Sequence, residues 1–389
     1  GVGLGLFPWA DAGAFGRAPS NVAWPPLPVH AGAAVGAFLL AWIASGGTPG
    51  AASRPGRRGA LGWIVAAASG LAAGAGGPAA WAQSAFLGGV VPWARIRGLA
   101  PRITPADAHY EISKNLTPPR VREAGWRLRI DGLVTTPLSL SVDDLAALPS
   151  VTRPSTLVCV SNRVGGDLIG TSEWTGVRLR DLLEAAGVHP DAREVVAWAA
   201  DNYDDSFPLD AARAEGTLVA YRHGGQALAP AHGFPARLLV PGIYGMKSVK
   251  WLRRIELRAE NHLGYWATRG WSDVATVRTL SRVDTDVATD LGDGRWAVAG
   301  VAFAGGRGVA RVDVSFDGGA TWREADLEAA PSPYAWRRWA WLGSPDVVGV
   351  GADGTFDVSV RATDGRGVVQ TAERTRPLPA GATGLHRRS

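Results

Sequence analysis

Apolar and polar positions divide the chain into three textures. Up to about residue 94 the chain is rich in Ala, Gly and Leu, and two uncharged apolar stretches, 31–47 and 59–82, stand out. The second is long enough to cross a bilayer with some tilt, so about two transmembrane helices are expected within 1–94. A polar, Pro-containing stretch at 95–104 reads as a linker. From there to residue 272, short β-prone runs alternate with short helical patterns. Residues 126–132 alternate apolar and polar and end in a turn signal, which predicts a strand. Ser141, with Asp144 three residues on, predicts a capped short helix that stops before Pro149. Leu179, Leu182, Leu183 and Ala186 mark one helical face closed by Gly187. This alternation predicts an α+β domain over 95–272. From 273 to 378 strand-sized runs recur about every dozen residues between Gly/Asp turns, predicting a β-sandwich. The tail, 379–389, is expected to be disordered.

Charge sharpens the picture at the N-terminal end. Asp11 is the only acid in residues 1–100, while Arg54, Arg57 and Arg58 lie between the two apolar stretches. The positive-inside rule puts that loop in the cytoplasm, so everything beyond about residue 90 is expected on the extracytoplasmic side of the cell membrane. Trp81 and Trp93 suit the interfacial aromatic belt. The 389-residue chain begins at Gly1, which reads as a processed form or a piece of a longer protein. Its net charge of +5 comes without a basic run interleaved with aromatics, so a nucleic-acid partner is not expected.

The chemistry gathers at two places. Cys159, the single cysteine, follows the β-prone run 156–160 and precedes a polar, glycine-containing turn. It cannot pair within the chain, so it is a small buried residue, a nucleophile or a metal ligand. The second place is 232–251, where Arg237, Lys247 and Lys250 stand among glycine turns. Cations and loop amides brought together this way suit an anionic group ending in phosphate; equally, Arg237 flanks a core strand and the lysines are solvated. No dinucleotide glycine motif, paired-cysteine spacing or haem-attachment motif is present. A hydrolase would pair Cys159 with His232, but no third orienting group suggests itself.

From about residue 105 to 370 these motifs resemble the sulfite oxidase superfamily, in particular its membrane-attached bacterial branch. The resemblance rests on Cys159-Val160-Ser161-Asn162, His232-Gly233-Phe234-Pro235-Ala236-Arg237, Lys247-Ser248-Val249-Lys250-Trp251 and Ser315-Phe316-Asp317-Gly318-Gly319. It implies a sulfite-oxidase-type domain binding molybdenum–molybdopterin, with Cys159 as the protein's molybdenum ligand. Tyr110, Glu111 and Asp201 then lie along the pterin, His232 and Arg237 at its polar end, and Lys247, Ser248 and Lys250 at its phosphate. The sandwich is implied to be an immunoglobulin-like dimerisation domain that makes a homodimer. The activity implied is oxygen-atom transfer on a small oxo-substrate outside the cytoplasm. Electrons pass to or from a separate partner, such as a membrane cytochrome. Arg163 and Trp271 are expected beside the substrate. Trp271 stands where sulfite-oxidising relatives have a tyrosine, so sulfite is the doubtful substrate and sulfoxide reduction the alternative chemistry. A rival reading makes the chain a membrane-anchored binding or adhesion module that uses the sandwich, with an inert central domain.

Overall fold

The computed structural model describes residues 90–349 and 355–389. The expected spans 31–47 and 59–82 lie outside them. Among the described residues no helix is long and apolar enough to cross a membrane.

The central region contains ten strands: β1 (Leu128–Gly132), β2 (Leu138–Leu140), β3 (Ser150–Val158), β4 (Ile169–Arg178), β5 (Glu194–Ala199), β6 (Asp204–Pro208), β7 (Leu218–His223), β8 (Gln226–Ala227), β9 (Arg237–Leu239) and β10 (Leu252–Arg258). One sheet runs β2-β1-β10-β5-β6, and a second runs β3-β4-β7-β8 with β9 alongside β7. Only β1 and β10 pair in parallel within these sheets. Leu128, Ile130, Val195, Ala197, Ile255 and Leu257 of the first sheet share a core with Val177 and Val219 of the second.

Three short helices fill the connections: α1 (Val142–Ala147), α2 (Leu179–Ala186) and α3 (Leu209–Arg213). The two that the pattern predicts are capped as expected. The Ser141 hydroxyl accepts from the Asp144 amide at 3.0 Å, and Asp144 accepts from the Ser141 amide at 2.8 Å. In α2 Leu179, Leu182, Leu183 and Ala186 face the core, and Gly187 ends the helix at φ 70°.

The C-terminal region contains β11 (Leu280–Val283), β12 (Thr289–Asp290), β13 (Trp296–Phe303), β14 (Val309–Ser315), β15 (Arg323–Glu324), β16 (Asp326–Leu327), β17 (Arg337–Gly343), the short α4 (Pro345–Val348), β18 (Val358–Asp364) and β19 (His386–Arg388). Its sheets run β11-β13-β17-β16, with β12 on β13, and β15-β14-β18-β19. Val298, Ala302, Trp339 and Trp341 of one face Val312, Val314, Val360 and Ala362 of the other. The expected sandwich is therefore present as two packed sheets, and the immunoglobulin-like label is not retained.

Over the described residues the α+β expectation is corrected to a mainly β architecture with few and short helices. Among the described residues the longest of the four α-helices has eight residues. The helical patterns last one or two turns, too short to form a layer, so they serve as sheet connections. The tail is corrected too. His386–Arg388, rather than being disordered, pairs antiparallel with β18. Its backbone bonds come from a distant strand, which a polar, charged edge segment does not advertise. The linker is also packed, with Ile96 buried against Leu291, Ala297, Ala299 and Ala340.

The central and C-terminal regions meet beside Cys159. Val158, Val160, Ile169 and Tyr244 pack with Val277, Val301, Phe303 and Trp336. The Thr156 hydroxyl accepts from the Trp336 amide at 2.8 Å, and Arg282 donates to the Gly166 carbonyl at 3.0 Å.

Candidate active site

Strand β3 ends at Val158, and the chain turns at once. The Cys159 amide donates to the Leu168 carbonyl and the Asn162 amide to the Cys159 carbonyl, both at 3.0 Å. The Asn162 side chain accepts from the Leu168 amide at 3.0 Å, closing the loop from inside. A Cβ on Gly166 would overlap that side chain, so glycine is required there. The loop holds the thiol 9% exposed, with its sulfur 3.0 Å from the Ser161 hydroxyl. Burial pushes the thiol pKa up, and hydrogen bonds from Ser161 oppose the shift. A soft metal would take the place of that proton.

Tyr110 lies close enough for a Cys159 thiolate to disfavour its ionisation, although burial is the larger reason that its pKa is raised. Its hydroxyl would lie 3.0 Å from a Cβ on Gly245, so glycine admits it. Trp271 packs into the apolar cluster of Val158, Val160 and Tyr244. Arg163 is exposed and lines a small surface cleft with Asn162, Gly165, Gly166, Arg282 and Gln370.

A second group forms around Arg237. This guanidinium, 5% exposed, donates to the carbonyls of Leu238, His232 and Ser248 at 3.4, 3.2 and 3.1 Å and lies 5.1 Å from the Trp174 ring. Lys250 donates to the carbonyls of Ile112 and Ala231 at 3.0 and 2.9 Å. Burial lowers Arg237 to about 10 and Lys250 to about 8, with Arg237 adding to the effect on Lys250. Among the described residues neither makes an ion pair with a carboxylate, although Glu111 and Asp201 lie near enough to Lys250 to oppose part of its shift. Arginine has about five N–H donors and lysine about three, so two on Arg237 and one on Lys250 are left over. Gly233 makes their proximity feasible: at φ 108° its missing Cβ would lie 3.0 Å from the Lys250 Cβ and 3.1 Å from the Arg237 Cβ. His232 hydrogen-bonds the Ala106 carbonyl at 3.0 Å, and Glu111, mostly exposed, stands 3.9 Å away.

The remaining expected residues divide. Ser248 is buried beside Arg237, its hydroxyl accepting from the Val240 amide at 3.1 Å. Asp201 is held by Asn115 at 2.7 Å and the Tyr203 amide at 3.1 Å, with Lys114 at 3.6 Å. Lys247 is not brought to the Arg237 group. Its ammonium is locked between Asp205 at 2.8 Å and Asp273 at 3.1 Å, so its charge is already matched. Sequence reasoning missed His109, His223 and Trp174. His223 stacks flat on Trp174 with centroids 3.9 Å apart, and the His109, His223 and His232 rings lie 4.9–5.7 Å from one another. Only the nearness of His109 to Tyr110 hinted at this, since β4 and β7 are distant in sequence.

The donor set fits an anionic, phosphate-terminated cofactor with a soft metal: a buried thiol at one end, unmatched cations at the other, and glycines where side chains would block the approach. Residues 115–266 match the family described as oxidoreductase molybdopterin binding domain, and 272–383 that described as Mo-co oxidoreductase dimerisation domain. The chain is 40% identical over 146 residues to the oxidoreductase YuiH of Bacillus subtilis, covering 38% of this chain and 72% of that protein. Against rat mitochondrial sulfite oxidase the identity is 35% over 250 residues, 52% of this chain and 46% of that one. An NADH nitrate reductase of Volvox carteri is 31% identical over 319 residues, and the chain spans only 37% of its length. The solved sulfane dehydrogenase SoxCD of Paracoccus pantotrophus superposes with a TM-score of 0.63 at 26% identity, covering 74% of this chain and 81% of that one. The cofactor is accordingly molybdenum–molybdopterin, and the chain belongs to the sulfite oxidase-type family of molybdopterin-dependent oxidoreductases.

Proposed function

We propose that this oxidoreductase transfers an oxygen atom to or from a small, weakly charged oxo-substrate, with Cys159 as the protein's ligand to molybdenum. The observation that carries the reading is the buried Cys159 thiol at a strand end, on a loop fixed by Asn162 and Leu168. When bound, the molybdenum centre supplies two-electron oxygen-atom chemistry. Cys159 gives up its proton on binding the metal. Arg237, Lys250 and His232 would hold the anionic end, and Tyr110 and Asp201 would border the pterin.

The substrate class rests on Trp271. Its indole packs with Val158, Val160, Tyr244 and Met246. An indole offers one N–H donor and no acid–base group, so beside the Val158–Val160 segment it presents an apolar wall where a phenol would be polar. A sulfoxide suits such a wall better than sulfite, and Arg163 remains as a contact for a polar oxygen. Within residues 1–389 the single cysteine leaves no Cys-x-x-Cys-His haem site, which favours electron exchange with a separate partner protein. The match of 272–383 to a dimerisation domain supports a homodimer. Placement outside the cytoplasm rests on Arg54, Arg57 and Arg58; protease added to intact cells should remove the domain, and full protection overturns that placement.

Two measurements test the function together. Cys159→Ser should fold normally but contain little molybdenum; full metal content would remove the ligand assignment. With a reduced dye as donor, wild type should turn over a sulfoxide faster than it oxidises sulfite, and Trp271→Tyr should narrow the gap. Efficient sulfite oxidation by wild type, unmoved by Trp271→Tyr, contradicts the substrate reading.

A further inference from the structure

Lys247 buries its side chain to 1% exposure, against 0% for Asp205 and 30% for Asp273. Its ammonium donates to Asp205 Oδ1 at 2.8 Å and to Asp273 Oδ1 at 3.1 Å. One carboxylate is enough to match its charge. Asp205, on β6, is itself fixed by the Ser206 amide and the Tyr203 hydroxyl, both at 2.9 Å. Gly264 leaves it room, since a Cβ there would lie 2.6 Å from Asp205 Oδ1. Asp273 is partly exposed and would keep its charge in water at little cost. The chain nevertheless brings it to the ammonium, so the second pair has a purpose other than charge balance.

That purpose lies in what the two ends carry. Lys247 closes the 3₁₀ turn Gly245–Lys247. A Cβ on Gly245 would lie 3.0 Å from the Tyr110 hydroxyl and 3.3 Å from the carbonyl of Val158, the residue before Cys159. Met246 of the same turn packs with Val158, Val160 and Trp271. Asp273 stands two residues after Trp271, and its Oδ2 accepts from the Asn261 side chain at 3.0 Å. Just beyond, Ala275 takes φ 46°, a left-handed conformation that is unfavourable for a residue with a Cβ. Its carbonyl accepts from the Tyr244 amide at 2.8 Å, and its amide donates to the Ser272 hydroxyl at 3.2 Å. Strained backbone persists where its surroundings over-determine it. The Trp271 segment is thus pinned to residues 244–247 at both Asp273 and Ala275.

We infer that Lys247 is a positioning residue for the substrate wall: its ion pair with Asp273 sets where the Trp271 indole stands against Val158 and Val160, while Asp205 holds the ammonium still. The inference rests on the reading of Trp271 as a wall that faces substrate. It moves Lys247 from the phosphate end of the site to the Cys159 end. A lysine ammonium swings freely on its four-carbon stem, but one anchored to a strand carboxylate is a fixed point. A wall held in this way need not be ordered when substrate binds.

The test uses the full chain loaded with cofactor. Asp273→Ala removes the second pair and leaves Lys247 matched by Asp205, so the variant should fold. With dimethyl sulfoxide and a reduced dye, it should raise KM about tenfold and change kcat less than about twofold, because a wall binds substrate and transition state alike. Its molybdenum content should match wild type. Trypsin should cut after the exposed Arg269 about tenfold faster than in wild type, as the segment opens more often. Asp273→Glu, which restores the charge, should recover both. Trp271→Ala should raise KM by itself, and adding Asp273→Ala should raise it no further, the sign of one residue acting through another.

A wild-type KM in Asp273→Ala, with Trp271→Ala raising it, overturns the inference; the pair then serves folding alone. An unchanged trypsin rate at Arg269 overturns it too, as does a double variant whose rise in KM is the product of the two single ones. An unchanged KM in Trp271→Ala has a different meaning. The indole then does not face substrate, and the positioning role falls with the wall.

Discussion

At the scale of the residue, burial decides which charges remain available. Lys247 and Lys250 stand three apart in one motif, yet Lys247 is neutralised between Asp205 and Asp273 while Lys250 donates to two carbonyls and lies over the Trp251 ring. Spacing alone cannot separate them, because the acids that claim Lys247 come from β6 and from the chain after residue 272. The difference makes a pH prediction. Burial first, and Arg237 second, lower Lys250 to about 8. Below that pH the ammonium is present and grips phosphate; above it the empty site holds a neutral amine. Cofactor affinity should therefore fall as pH rises through about 8, up to the loss of a charge-assisted bond of about 1.5–3 kcal/mol. Lys250→Arg keeps its charge throughout and should flatten the profile. Reloading cofactor-free protein between about pH 7 and 10 checks this; a wild-type profile as flat as the arginine variant's would remove Lys250 from the anchor.

At the scale of the element, the legible parts were those whose causes are local. The capping pair Ser141–Asp144 and the Gly187 stop of α2 lie within their own helices, so reading them required no partner strand. The turn at Gly233 is local too, but its purpose is not. It is left-handed at φ 108°, and its open side faces the Cβ atoms of Arg237 and Lys250. Gly233→Ala should cost about 1–2 kcal/mol in backbone strain and push the two cations apart. The expected outcome is a fall in the unfolding temperature together with a loss of pterin larger than that fall explains. An alanine variant with full pterin content would mean that the turn serves folding alone. By contrast, the His109–His223–Trp174 stack brings β4 and β7 together with the segment before β1, and no sequence period records that meeting.

At the scale of the whole molecule, the sandwich and the tail reach back to the catalytic loop, and here the sequence misled. A stretch of charged residues at the end of a chain reads as disorder because its backbone partners are invisible in one dimension. In the structure β19 takes its hydrogen bonds from β18, and a Cβ on Gly165 would overlap the His386 ring. His386 Nδ1 accepts from the Val283 amide at 3.0 Å, and the Ser272 amide, next to Trp271, donates to the Pro379 carbonyl at 2.9 Å. The tail thus touches both the Cys159 loop and the neighbour of Trp271. His386→Ala should leave the Val283 amide unmet and uncover Gly165, a cost of about 1–3 kcal/mol. Because Gly165 lies in the Cys159–Asp167 loop, the same change should also quicken loss of molybdenum on dilution. Arg387→Ala, on the exposed side of the same strand, should alter neither. Thermal unfolding and timed metal release of the two variants compare a docked tail with a free one: a free tail makes them indistinguishable, whereas a docked tail sets His386 apart by both measures.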